Sequence, residues 1–203
     1  TRGVFGGGHW FDGAETQFTY DIIEYITIAS TGNTTDFGDL TAARKDLSAC
    51  SSTTRGVFAG GAAGPVNIID YITIATTGNA TDFGDLTVKR YQLSACSSST
   101  RGVFGGGQTT ILVNVIDYIT IATTGNATDF GDILTKRYKI GSCSSSTRGI
   151  FGGGTLSSDF SASNIIEYIT IASTGNSSDF GDLTVARENL ANGGLSDCHG
   201  GLA

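Results

Sequence analysis

The chain has 203 residues, about one domain's worth of sequence, with thirty glycines, one proline, no methionine and a net charge of −7. That acidic balance repels phosphate backbones and anionic headgroups, which excludes general nucleic-acid binding, and no apolar run approaches the ~18 residues of a membrane span. With 39% hydrophobic residues there is enough apolar material for a soluble core, and with neither an initiating Met nor a signal peptide the chain reads as a mature, processed or excised segment.

The first predicted element is a short strand, Arg2 to Gly7, ended by glycines. A connection follows, His9 to Asp21, with the only Trp of the chain. Ile23, Tyr25, Ile26 and Ile28 then make a β-branched and aromatic strand that stops at a Thr-Gly-Asn turn. Asp36-Phe-Gly-Asp-Leu-Thr is a third strand, and Leu47 to Ser51 is a fourth, made of small residues. The same order then recurs. Thr-Arg-Gly-(Val/Ile)-Phe begins at Thr1, Thr54, Thr100 and Thr147, and Asp-Phe-Gly-Asp begins at Asp36, Asp82, Asp129 and Asp179, the latter spaced by 46, 47 and 50 residues. The units run approximately 1–53, 54–99, 100–146 and 147–203. No stretch carries a 3.6-residue period, so helix is not expected.

Four glycine-punctuated strands in about 46 residues form the pattern of a β-propeller blade. The expected fold is all-β, a single four-bladed propeller, with strands A to D numbered outward from the hub. The chain opens on strand B and lacks its own A. After Arg187 the sequence Glu-Asn-Leu-Ala-Asn-Gly-Gly aligns without gaps to Tyr91-Gln-Leu-Ser-Ala-Cys-Ser, so Leu190 to Gly194 is expected to complete the first blade and remove its open edge. The alternative is part of a longer array whose units complete one another between chains.

The fine pattern resembles kelch repeats: Leu93-Ser94-Ala95-Cys96, then Val103-Phe104-Gly105-Gly106, then Asp117-Tyr118, then Phe130 with Arg137. Two departures stand out. The last aromatic is Phe37, Phe83, Phe130 or Phe180 in place of Trp, and the acid precedes the Tyr. The wording Thr-Arg-Gly-Val-Phe-Gly-Gly-Gly and Ile-Thr-Ile-Ala-Thr-Thr-Gly-Asn also resembles repeats in virion structural, tail-associated proteins of marine cyanophages. These resemblances imply a propeller scaffold on a virion or other extracellular surface.

Little in the chain suggests catalysis. His9 and His199 are unrepeated and no nucleophile motif occurs. The glycine runs follow strands without opening helices, so they are not phosphate loops. Cys50, Cys96 and Cys143 are equivalent positions while Cys198 falls in the tail. Small buried side chains are expected there, because zinc sites present close-spaced pairs. No catalytic residue, metal or cofactor is expected. Arg2, Arg55, Arg101 and Arg148 are assigned an inter-blade role, each paired with an Asp of the Asp-Phe-Gly-Asp units at Asp36, Asp82, Asp129 and Asp179. Calcium held by those carboxylates is the rival reading. Asn33, Asn79, Asn126 and Asn176 each open an Asn-x-Ser/Thr sequon, read either as turn chemistry or as a glycosylation acceptor.

Length variation concentrates in the B to C connections, which share one face. The first presents His9, Trp10, Phe11, Asp12 and Phe18, aromatic faces beside polar groups, which suit a sugar. Arg44, Arg90, Arg137 and Arg187 are expected near this face and would favour an anionic glycan. The function expected is non-enzymatic recognition of a cell-surface glycan or protein by a virion or extracellular module. The alternative is a purely structural fibre or decoration protein that self-assembles. Neither reading involves nucleic acid or membrane insertion.

Overall fold

A computed structural model of the chain describes residues 1–13, 17–156, 160–190 and 194–196; these contain strands and no helix. In chain order they are β1 (Arg2–Gly6), β2 (His9–Phe11), β3 (Gln17–Thr19), β4 (Ile22–Thr27), β5 (Thr35–Asp39), β6 (Ser48–Ser51), β7 (Arg55–Ala59), β8 (Ile68–Thr73), β9 (Thr81–Asp85) and β10 (Ser94–Ser97). Then come β11 (Arg101–Gly105), β12 (Val115–Thr120), β13 (Thr128–Asp132), β14 (Arg137–Tyr138), β15 (Gly141–Ser144), β16 (Arg148–Gly152), β17 (Thr155–Leu156), β18 (Ser163–Thr170) and β19 (Ser178–Arg187).

The main strands form four antiparallel sheets in simple meander order: β1-β4-β5, β6-β7-β8-β9, β10-β11-β12-β13 and β15-β16-β18-β19. Each sheet from the second onward starts on the small-residue strand that precedes its Thr-Arg-Gly segment, so the sheets straddle the sequence repeats. In every sheet the pairing to the outermost strand slips at the same place, and in the fourth sheet it slips a second time between Ser163 and Ile165. Ile23 faces Gly38 but Glu24 faces Asp36, which leaves Phe37 as an extra residue; Phe83, Phe130 and Phe180 repeat this. Gly38 sits at φ +138, a bulge conformation that a side chain would strain. The bulge turns Phe37 inward against Tyr25, edge-on at 5.9 Å between ring centroids.

The core lies between sheets. Phe37 and Leu40 of the first sheet pack with Phe58 and Ile72 of the second. Phe83 and Leu86 pack with Phe104 and Ile119, and Phe130 and Ile133 with Phe151 and Ile169. Burying such a side chain contributes about 1.5–3 kcal/mol, so each sheet is stabilised mainly by its neighbours. The innermost strands lie side by side: Ser142 Oγ donates to the Ala95 carbonyl at 2.7 Å and Ser144 Oγ to the Ser97 carbonyl at 2.9 Å, while Ser97 Oγ donates to the Ser51 carbonyl at 3.1 Å. Cys50 Sγ lies against Gly102, and Cys96 Sγ against Gly149. Only small residues permit that approach.

The expected closure is not what the described residues show. Residues 191–193 of the closing segment lie outside them; Leu190 and Gly194 are placed against Gly141 and Ser142 beside β15, and the first sheet has three strands. Phe5 is 57% exposed and Phe180 54%, whereas their counterparts Phe58 and Phe130 are 5% and 2% exposed. Among the described residues, the outer face of the fourth sheet does not cover the open face of the first.

Candidate functional site

Gly7 and Gly8, at φ +70 and +114, carry the chain out of β1. The base of the excursion is clamped where Gly7 N–H donates to the Ile22 carbonyl and Tyr20 N–H to the Gly8 carbonyl, both at 3.0 Å. Between these clamps β2 and β3 form a two-stranded hairpin with Trp10 opposite Phe18. Strand alternation puts Trp10 and Phe18 on one face and His9 with Phe11 on the other. The Trp10 and Phe18 rings stack at 5.8 Å and 29°, and His9 meets Phe11 edge-on at 5.1 Å. Trp10, Phe11 and Phe18 are 54%, 51% and 45% exposed. Asp12 is exposed at the end of β2. Three large aromatics are thus left in water above this clamped base, a cluster and not scattered single residues.

The corresponding connections of the later sheets are braced instead. Ala62 bridges Lys45, Gln108 bridges Tyr91, and Thr155 pairs with Tyr138. Beside them lies an open depression of about 630 Å³, lined by Lys45, Pro65, Tyr91, Gln92, Tyr138 and Lys139. Gln108 Nε2 donates to Gln92 Oε1 at 2.8 Å on its wall. Gln92 and Gln108 were missed, and no repetition of either marks them.

The arginines themselves need correction. Arg44, Arg90 and Arg137 are not surface cations but are at most 1% exposed, in ion pairs with Asp70 at 2.7 Å, Asp117 at 2.8 Å and Glu167 at 2.6 Å. Each joins one sheet to the next, and each has a buried Nε without an acceptor. Burial pulls the Arg90 and Arg137 guanidiniums below their ordinary range, against the acid partner that holds them up. Arg187 alone of the set is exposed. The carboxylates come from the Asp/Glu-Tyr step of the third strand, which explains why an acid precedes that Tyr.

Arg2, Arg55 and Arg101 also reach the next sheet, but not through a carboxylate. They donate to the carbonyls of Ile74 at 2.8 Å, Ile121 at 3.0 Å and Ile171 at 2.8 Å, and their guanidiniums lie over Tyr25, Tyr71 and Tyr118 at 4.4, 4.4 and 4.3 Å. Arg148 lies over Tyr168 at 4.6 Å. Asp36, Asp82, Asp129 and Asp179 are exposed, where an ion pair gains little. Their motif works through backbone: Asp39 N–H donates to Asn79 Oδ1 at 3.1 Å, with Asn126 and Asn176 repeating this on Asp85 and Asp132. Three of the four sequon asparagines therefore serve as inter-sheet acceptors, and Asn33 makes no such bond among the described residues.

Burial disfavours the thiolate form of the inner-strand cysteines. The sulfur of Cys50 faces Gly102, and burial pushes its thiol up to about 12; burial also raises Cys96 and Cys143. Cys198 and His199 lie outside the described residues. Because the thiolate is the nucleophile, iodoacetamide at neutral pH is expected to leave Cys50 and Cys96 unmodified in the folded chain and to label both in urea. Peptide mass mapping reads this; rapid native labelling of Cys50 would contradict the buried placement of its sulfur.

A scan against protein-family models finds no match, and a search of curated proteins finds none either.

Proposed function

We propose that the chain is a non-enzymatic recognition module of a virion or other extracellular surface, whose sheets are kelch-like propeller blades and whose first B to C hairpin binds a cell-surface glycan. The observation that carries this reading is the hairpin: Trp10 and Phe18 stacked, and with Phe11 about half exposed. An aromatic face stacks on the C–H face of a pyranose ring, and neighbouring polar groups order the hydroxyls. The side-by-side inner strands support the blade reading, and the nearby depression with its Lys and Tyr side chains offers room for a second sugar unit. The buried Arg44, Arg90 and Arg137 no longer argue for an anionic ligand, so charge selectivity rests on Lys45 and Lys139.

A glycan array followed by calorimetry on the best binder tests this. Saturable binding is expected for the parent chain. Trp10→Ala is expected to weaken it roughly 30-fold, the scale of a Trp hot spot at about 2 kcal/mol, with the thermal transition unchanged because the side chain is exposed. A parent chain that retains no glycan, or a Trp10→Ala chain that binds as well, would refute the reading. The second reading, a structural self-assembling protein, is favoured by the bare faces at the two ends of the array.

A further inference from the structure

We infer that the free face of the fourth sheet binds the free face of the first sheet of a second copy of this chain, in the same geometry that joins consecutive sheets within it. Three internal seams define that geometry. At each, an arginine of one sheet pairs with the third-strand acid of the next at 2.6–2.8 Å. Each seam also has backbone bonds through the bulge, Gly78 N–H to the Phe37 carbonyl, Gly125 to Phe83 and Gly175 to Phe130, all at 2.7 Å. Each seats a Phe of the following sheet, Phe58, Phe104 or Phe151, on the apolar side of the preceding one.

Both halves of a fourth seam exist, and among the described residues they do not meet: beyond the Leu190 and Gly194 contacts beside β15, the ion pair, bulge bond and Phe seat of the other seams have no counterpart there. The fourth sheet presents Phe180, 54% exposed, and Arg187, exposed and without an ion-pair partner among the described residues. The first sheet presents Phe5, 57% exposed, and Ile28, 61% exposed, together with the exposed acid Glu24. By position Arg187 corresponds to Arg44, Arg90 and Arg137, and Glu24 to Asp70, Asp117 and Glu167. The charges are opposite, as the seam requires. Gly181 would accept the Gly32 backbone as Gly38 accepts Gly78, yet has nothing within 4 Å. Asn33 is by position the acceptor for the Asp182 N–H, a bond not made among the described residues. The outer strand reflects the vacancy: Thr41 and Thr87 are drawn inward by Asp70 and Asp117, whereas β19 runs on through Thr184 to Arg187.

The occupant is a second copy because the complementary surface is on this chain and repeats an interface it already forms three times. Such a contact is heterologous, so it generates a closed ring of chains or an open filament.

Analytical ultracentrifugation of the whole chain, from low micromolar to near-millimolar, tests this with a charge exchange at exposed positions. The parent is expected to show a mass that rises with concentration. Glu24→Arg and Arg187→Glu, each placing like charges in the seam, are expected to weaken association about 100-fold or more while keeping the parent's circular dichroism. Mixing the two variants is expected to restore association, because each then meets an opposite charge on the other. A parent that stays monomeric throughout overturns the inference, as do single variants that still associate. A parent monomer that each substitution destabilises, rescued by both changes in one chain but not by mixing, shows a chain closed on itself and overturns it as well.

Discussion

Replacing Arg90 by alanine is expected to destabilise the folded chain by about 3–5 kcal/mol, the cost of stranding one partner of a buried ion pair, read from urea denaturation. Arg90 and Asp117 are both fully buried and 2.8 Å apart. The guanidinium also donates to the Phe104 carbonyl at 3.1 Å, and Asp117 holds the Thr87 hydroxyl and N–H. Alanine would leave a dehydrated carboxylate with only those neutral donors and would loosen the Thr87 turn that aligns Leu86 with the core. Burial already pulls the Arg90 guanidinium below its ordinary range, so the pair is costly to dehydrate. Exchanging both partners, Arg90→Met with Asp117→Leu, is therefore expected to recover most of the loss. Arg187→Ala, the same residue type at an exposed position, is expected to change the stability of the dilute chain by no more than about 0.5 kcal/mol. Equal effects at Arg90 and Arg187 would mean that the buried pair does not join the sheets.

How far the sequence could be read follows from which forces are local. The strands were legible because β-branched and aromatic runs such as Ile23 to Ile28 end at glycines, and because repetition showed the pattern four times. The meander order A to D was legible for the same reason, short connections pairing adjacent strands. The partners of the arginines were not. Arg44 meets Asp70 across a sheet boundary, and no spacing distinguishes that acid from Asp36, which is closer in sequence but exposed. The role of Gly38 was hidden as well, because a bulge is a property of register that appears only when Ile23 and Glu24 are paired with their opposite strand. Trp10 was flagged because its connection is longer than its counterparts, and a two-stranded hairpin that joins no larger sheet leaves side chains in water. Phe5 and Phe58 are indistinguishable as sequence; only the presence of a preceding sheet separates a core residue from an exposed one.

That same distinction sets the expected difference between two identical glycine substitutions. Gly84 lies at φ +142, and a Cβ there would meet the carbonyl carbon and oxygen of Gly125 in the next sheet. Backbone cannot step aside as a flexible side chain can, so Gly84→Ala adds overpacking of about 1–3 kcal/mol to a backbone strain of about 1–3 kcal/mol. Gly181 lies at φ +132, with open space around the added methyl, and Gly181→Ala incurs the strain alone. In the dilute chain the Gly84 variant is therefore expected to lose at least about 1–3 kcal/mol more than the Gly181 variant, read from paired urea titrations. At high concentration the order of harm changes. The Gly181 methyl would occupy the seat that Gly32 of a second copy takes, so this variant is expected to remain folded while losing self-association, as Arg187→Glu does. If both variants lose equal stability, backbone packing at the bulge does not hold the sheets together. If the Gly181 variant still associates, copies do not meet in the geometry of the internal seams.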